Sequence, residues 1–184
     1  DKGYTDKTHL TIETLSGIKR LELQVRNGKV KSVIADMGAS KVSAPLSLEL
    51  GGQTLTCLPV DMGNPHAVFF CGDVESVPLA TLGAKVEHHA AFPDGVNAEF
   101  VQVLSPTEIR MRVWERGSGI TMACGTGACA TAVAAALTGR AERRSDIVMD
   151  GGTLHIEWNA ADGHVYMTGP ATEGFTGTIT YEEP

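Results

Sequence analysis

Most of the chain consists of short runs in which apolar and polar residues alternate, the period-two pattern of strands with one buried face. Residues 9–14 and 19–25 are two such runs. Asn27-Gly28 directly follows the second, a pair suited to a two-residue hairpin turn, and returns the chain through residues 29–35. Gly51-Gly52 predicts another hairpin, joining residues 46–50 to 54–58. The strand pattern resumes at 67–70, 98–104 and 109–115, and again at 147–149, 153–158, 164–167 and 175–181.

Two segments depart from this pattern. Residues 73–88 suit a helix that begins near Ser76 and Pro78, because proline is tolerated in a first turn; Gly83 weakens that assignment. Residues 125–138 form the stronger helix, with Gly139 as its stop. Between Ala128 and Leu137 its only polar residue is Thr131. A helix that is apolar all round belongs inside a core. The expected architecture is therefore α+β, with mostly antiparallel strands wrapped around one central buried helix. No parallel strand–helix–strand unit is expected.

Composition narrows the function classes. At 184 residues the chain suits one domain, or one domain with a fragment of another. Apolar residues at 42% and charged residues at 20% are those of a folded globular chain. A net charge of −7 without a dominant basic patch argues against nucleic-acid binding. The sequence has neither an apolar run approaching the roughly 20 residues of a membrane span nor, in its first residues, the basic-then-apolar pattern of a secretory signal. The four cysteines, Cys57, Cys71, Cys124 and Cys129, show no Cys-x-x-Cys spacing and no His-x-x-x-His partner. Neither a metal site nor a disulfide framework is expected, and reduced thiols of the cytoplasm suit the pattern better.

Cys124 carries the sharpest chemical signal, since it stands where Gly125 opens the apolar helix. A thiol there meets unpaired backbone N–H groups and the positive end of the helix dipole, which favour its thiolate. The same N–H groups can hold an anion, such as a substrate carboxylate. Cys129 falls inside the helix and reads as core, as do Cys57 and Cys71 in apolar strand settings. Glu115-Arg116, at a strand end before Gly117 and Gly119, offers an acceptor for an ammonium group and a donor for a carboxylate. Gly63-Asn64-Pro65-His66 is a tight turn before a buried strand, where Asn64 offers amide hydrogen bonds and His66 a proton acceptor. Asn97, after Pro93-Asp94-Gly95, reads by itself as loop chemistry. His9, His88, His89, His155 and His164 lack metal-ligand spacing, and Gly125-Thr126-Gly127 falls short of a dinucleotide fingerprint.

Taken together, the segments starting at Asp61, Asn97, Glu115, Ala123, Met167 and Phe175 resemble, in order and spacing, those of the diaminopimelate epimerase family. The likeness spans nearly the whole chain. It implies a cofactor- and metal-free interconversion of LL- and meso-2,6-diaminoheptanedioate, on the route to lysine and peptidoglycan, by two cysteines on opposite faces of the α-carbon. Cys124 would be the second of these. Gly125 and Thr126 would hold the α-carboxylate, Glu115 and Arg116 would contact substrate, and Glu115 with His66 would tune the thiol. Asn64 and Asn97 would bind the distal amino-acid end. The family's first cysteine lies in an Asn-Gly-x-Arg-Cys-type motif that this sequence does not contain. The expectation is therefore a C-terminal lobe over 37–184, preceded by the tail of the first lobe over 1–36, and inactive alone. Its partners would be diaminopimelate, the other lobe and, as is common in the family, a second copy. Another amino-acid racemase of the same fold, or a binding lobe without catalysis, are the alternative readings.

Overall fold

The computed structural model describes residues 3–14 and 17–181. The alternating runs all form strands up to residue 170. Strands β1 (His9–Thr14), β2 (Gly17–Arg26) and β3 (Lys29–Ala39) make an antiparallel meander. Asn27 and Gly28 form its second turn with φ of 53° and 70°, the paired left-handed conformation that matches the twist of the flanking strands. Next come β4 (Lys41–Val42), β5 (Leu46–Glu49), β6 (Thr54–Asp61) and β7 (Pro65–Phe70). Helix α1 (Leu79–Glu87) leads to β8 (Asn97–Ser105), β9 (Glu108–Glu115) and the short β10 (Gly119–Thr121). Helix α2 (Gly125–Leu137) is followed by β11 (Arg144–Met149), β12 (Gly152–Trp158) and β13 (His164–Pro170).

The strands join into one continuous ladder in the order β1-β2-β3-β13-β12-β11-β9-β8-β7-β6-β4. It curls around α2, which touches β6 through β9 and β11 through β13. Residues Gly127 to Ala135 of that helix are all buried, as its all-apolar surface requires. Two pairings differ from expectation: β7 with β8, and β9 with β11, are parallel. Antiparallel neighbours can be joined by a tight turn, whereas a parallel pair needs a crossover, and α1 and α2 are those crossovers. The boundary expected at residue 36 falls within β3, which pairs with β13 on both sides of it.

Both faces of the central strands are covered, so their side chains divide by parity. Val68, Val101, Ile109, Met111 and Val113 pack with α2. Ala67, Phe69, Ala98 and Phe100 pack with Leu79, Leu82 and Val86 of α1. Residues 175–181, expected as a strand, form none; Phe175, Ile179 and Tyr181 are exposed. Their alternation is a strand pattern that has no paired neighbour here, and strand propensity expresses itself only through such pairing.

Candidate active site

Cys124 is the N-cap of α2, in extended backbone with φ −140° and ψ 110°. Its carbonyl accepts from the Ala128 N–H at 2.9 Å and its Sγ from the Gly127 N–H at 3.4 Å. The N–H groups of Gly125 and Thr126 precede the first intrahelical bond and lie off the ladder, as at any helix start. The thiol and the backbone N–H groups of the first turn of α2 thus fall within four consecutive residues.

Strand period places the other groups beside it. His66 shares the parity of Val68 on β7, Glu99 that of Val101 on β8, and Glu115 that of Val113 on β9. All three therefore stand on the α2 side of the sheet. The His66 Nδ1 lies 2.7 Å from Glu99 Oε1 and its Nε2 lies 3.0 Å from Asn64 Oδ1. The Asn64 Nδ2 donates to Thr126 Oγ1 at 3.2 Å, and that hydroxyl is 3.7 Å from Cys124 Sγ. A continuous polar chain therefore runs from Glu99 through His66, Asn64 and Thr126 to the thiol. Glu115 accepts from the Thr121 hydroxyl at 2.5 Å.

The thiolate favoured by the sequence argument is not the resting form. Burial pushes the Cys124 thiol up to about 11, and the negative charge of Glu99 adds to that shift. The hydrogen bonds from Thr126 and the Gly127 N–H act the other way and lose. A helix end lowers a thiol's pKa when the site is electropositive and open; this one is closed and faces two carboxylates, Glu99 and Glu115. Cys129 is pushed further, to about 12, by burial inside the helix. Cys57 and Cys71 lie with the α1 core instead, away from the Cys124 pocket.

Asn97 and Arg116 tie neighbouring segments of the protein together. Asn97 is buried; its Nδ2 donates to the Pro65 carbonyl at 2.8 Å and its Oδ1 accepts from the Arg116 N–H at 3.0 Å. It ties the Asn64-Pro65 turn to the end of β9. Arg116 turns its guanidinium to the Asp94 carbonyl at 3.1 Å. Sequence reasoning missed Glu99 and Glu87. Glu99 had a readable signal, a carboxylate inside a strand with both faces apolar, which is a conflict that marks functional or strained sites.

Glu87, at the end of α1, accepts from Trp114 Nε1 at 2.6 Å and from the Gly117 N–H at 2.7 Å, bracing the loop after Glu115. The Trp114 bond, followed by the Gly117 bond, holds its carboxyl below the ordinary glutamate value of 4.5. A carboxylate with a depressed folded pKa stabilises the fold above its unfolded value, and the stabilisation is lost as pH falls through the folded one. Glu87→Gln is therefore expected to lower the melting temperature at pH 7. The difference from the parent should close as pH falls below about 4.5, the unfolded value; thermal melts across pH 3–7 measure it.

No cluster of three or more His, Cys, Asp or Glu side chains with metal-binding geometry occurs among the described residues. Nor is any helix among them long and apolar enough to cross a membrane. The sheet curled about one helix is a fold shared with solved proteins whose sequences differ widely from this one. The chain superposes with a TM-score of 0.68 on a probable proline racemase from Agrobacterium radiobacter, at 17% identity over 95% of this chain and 62% of that one. It matches a phenazine biosynthesis protein from Bacillus anthracis at 0.64, with 10% identity over 90% and 66% of the two chains.

Sequence relatives are more specific. A family model described as diaminopimelate epimerase matches residues 58–173. The chain is 53% identical to the diaminopimelate epimerase of Phocaeicola vulgatus, over 97% of this chain and 68% of that protein. It is 45% identical to that of Acetivibrio thermocellus, over 100% and 70%. The chain belongs to the diaminopimelate epimerase family. It spans about two thirds of the length of these curated relatives.

Proposed function

We propose that this chain supplies one of the two thiol faces of a diaminopimelate epimerase, an isomerase that inverts one α-carbon of 2,6-diaminoheptanedioate without pyridoxal phosphate. The observation that carries this reading is the Cys124 thiol at the mouth of α2, flanked by the N–H groups of Gly125 and Thr126. A substrate carboxylate bound to those N–H groups would place its α-carbon beside Sγ, and the same N–H groups would stabilise the negative charge that spreads onto the carboxylate as the α-proton leaves.

Cys124 rests as the acid. The thiol gives its proton to one face of the planar carbanion after a base on the opposite face has removed the original hydrogen. The product thiolate then accepts hydrogen bonds from the Gly127 N–H and the Thr126 hydroxyl, and is the base for the reverse reaction. Asn64 and the loop from Glu115 to Arg116 surround the distal end of the substrate, with Asn97 and Glu87 fixing the two loops. The opposite thiol would come from the part of the relatives that lies outside this chain, docking beside β1 to β3. The free cysteines accord with a reducing, cytoplasmic setting.

Proton exchange tests this reading. Incubated in D2O with LL-diaminopimelate, the chain joined to the remaining third of a relative is expected to incorporate α-deuterium and form the meso isomer. The chain alone is expected to do neither. Turnover of proline but not diaminopimelate would assign the site to another racemase, and turnover by the chain alone would overturn the two-lobe reading.

A further inference from the structure

Glu99 is fully buried, and its two carboxylate oxygens differ: Oε1 meets His66 Nδ1 while Oε2 has no hydrogen-bond partner among the described residues. A buried carboxylate with an idle oxygen costs stability, and such groups call for an explanation in function. The neutral isostere Gln would offer His66 the same acceptor. What Gln cannot supply is negative charge, and the place of that charge is specific. A Cβ built on Gly127 would stand 2.8 Å from Glu99 Oε1 and 3.2 Å from Cys124 Sγ. Only a glycine lets the carboxylate and the sulfur approach the same point of the helix from two sides.

We propose that Glu99 is a positioning residue that acts through two neighbours, fixing the His66 ring by its Nδ1 and disfavouring negative charge on Cys124 Sγ by the carboxylate it places across Gly127. This rests on the reading of Cys124 as a proton-transfer thiol and gives it a direction. The lobe is set as the proton-donating side of the site. With Nδ1 committed to Glu99, Nε2 can face only the Asn64 amide, so the polar chain to Thr126 and Sγ is held in register. The other charged or titratable groups around the sulfur are Glu115 from β9, His66 from β7 and Cys129 from α2 itself. Glu115 lies in a part-buried setting with its own donor, Thr121, so Glu99 exerts the stronger effect.

Alkylation of the full chain by iodoacetamide tests the proposal without any substrate, so its failure is separable from failure of the epimerase reading. Modification is quantified at each cysteine by peptide mass mapping between pH 7 and 10. In Glu99→Gln the Cys124 titration is expected to shift down by about one to two pH units. A thiolate of lower pKa is a weaker nucleophile, so the net gain in rate at pH 8.5 is roughly three- to tenfold. Glu99→Asp, which restores the charge, is expected to return most of the way to the parent.

Cys129, five residues further into the helix and fully buried, reports loosening of the fold and should stay unmodified. If the Gln variant does not fold, Glu99→Leu removes the same charge without leaving an unmatched amide. An unchanged Cys124 profile in a folded neutral variant overturns the proposal. So does a gain that is uniform across pH or accompanied by Cys129 labelling, because either means that Glu99 only holds the packing.

Discussion

In an enzyme completed by its other lobe, Cys124→Ser is expected to slow epimerisation by roughly 10²–10⁴-fold, the range spanned by a positioned proton donor or acceptor. Serine keeps the N-cap hydrogen bond to the α2 backbone, since it is among the preferred N-cap residues. Stability should change little, and the loss would be chemical. The decisive detail is stereochemical. For the isomer whose α-hydrogen faces the intact thiol, removal and return on the same face can continue, so α-deuterium should still enter with retention. For the opposite isomer, exchange should fall with epimerisation. Mass spectrometry of each isomer after incubation in D2O separates the two. Equal loss from both isomers would mean that Cys124 supports binding rather than one face of proton transfer.

Much of the fold was legible because strands and helices leave different periods in a chain. The hairpin at Asn27-Gly28 needed no tertiary information; the residues themselves favour the left-handed turn that β2 and β3 require. The central place of α2 followed from its missing polar face. What pattern could not supply was pairing. Alternation tells which face of a strand is buried and not which way its neighbour runs, so it gave no hint that the β7–β8 and β9–β11 pairings were parallel. Residues 175–181 show the converse, a good strand pattern with no neighbour to pair with.

The site divides in the same way. Cys124, Gly125, Thr126, Asn64, His66 and Glu115 were readable as local chemistry, and the fold gathers them at one end of α2. Their electrostatics were not readable. The helix-end argument counted the N–H groups that sequence reveals and not the burial and the Glu99 carboxylate that only packing brings. Asn97 was seen as a polar loop residue, yet both ends of its amide are spent on the backbone of two other segments. Long-range partners of this kind, 19 and 32 residues away, leave no local trace.

Gly83 illustrates how packing can reverse the sign of a local rule. In an exposed helix interior, Gly→Ala stabilises by about 1 kcal/mol. Here a Cβ would stand 2.4 Å from Trp114 Cβ and 2.5 Å from its Cγ. Trp114 Cβ is fixed to the backbone of β9, so rotating the ring away does not clear it and α1 itself must move. Moving it disturbs Leu79, Leu82 and Val86 in the second core, and overpacking of this kind costs about 1–3 kcal/mol, sometimes more. The clash is deep enough to exceed the helical gain, and Gly83→Ala is expected to destabilise by about 2 kcal/mol. For a chain of this size that is a fall in melting temperature of roughly 4–8 °C. Trp114→Ala removes the ring and leaves Cβ in place, so the double variant should remain less stable than Trp114→Ala alone. Displacing α1 also pulls Glu87 from Trp114 and Gly117, which would loosen the loop after Glu115. The completed enzyme should then lose substrate affinity before it loses its fold. A Gly83→Ala chain that melts at or above the parent would show that α1 is not seated against Trp114.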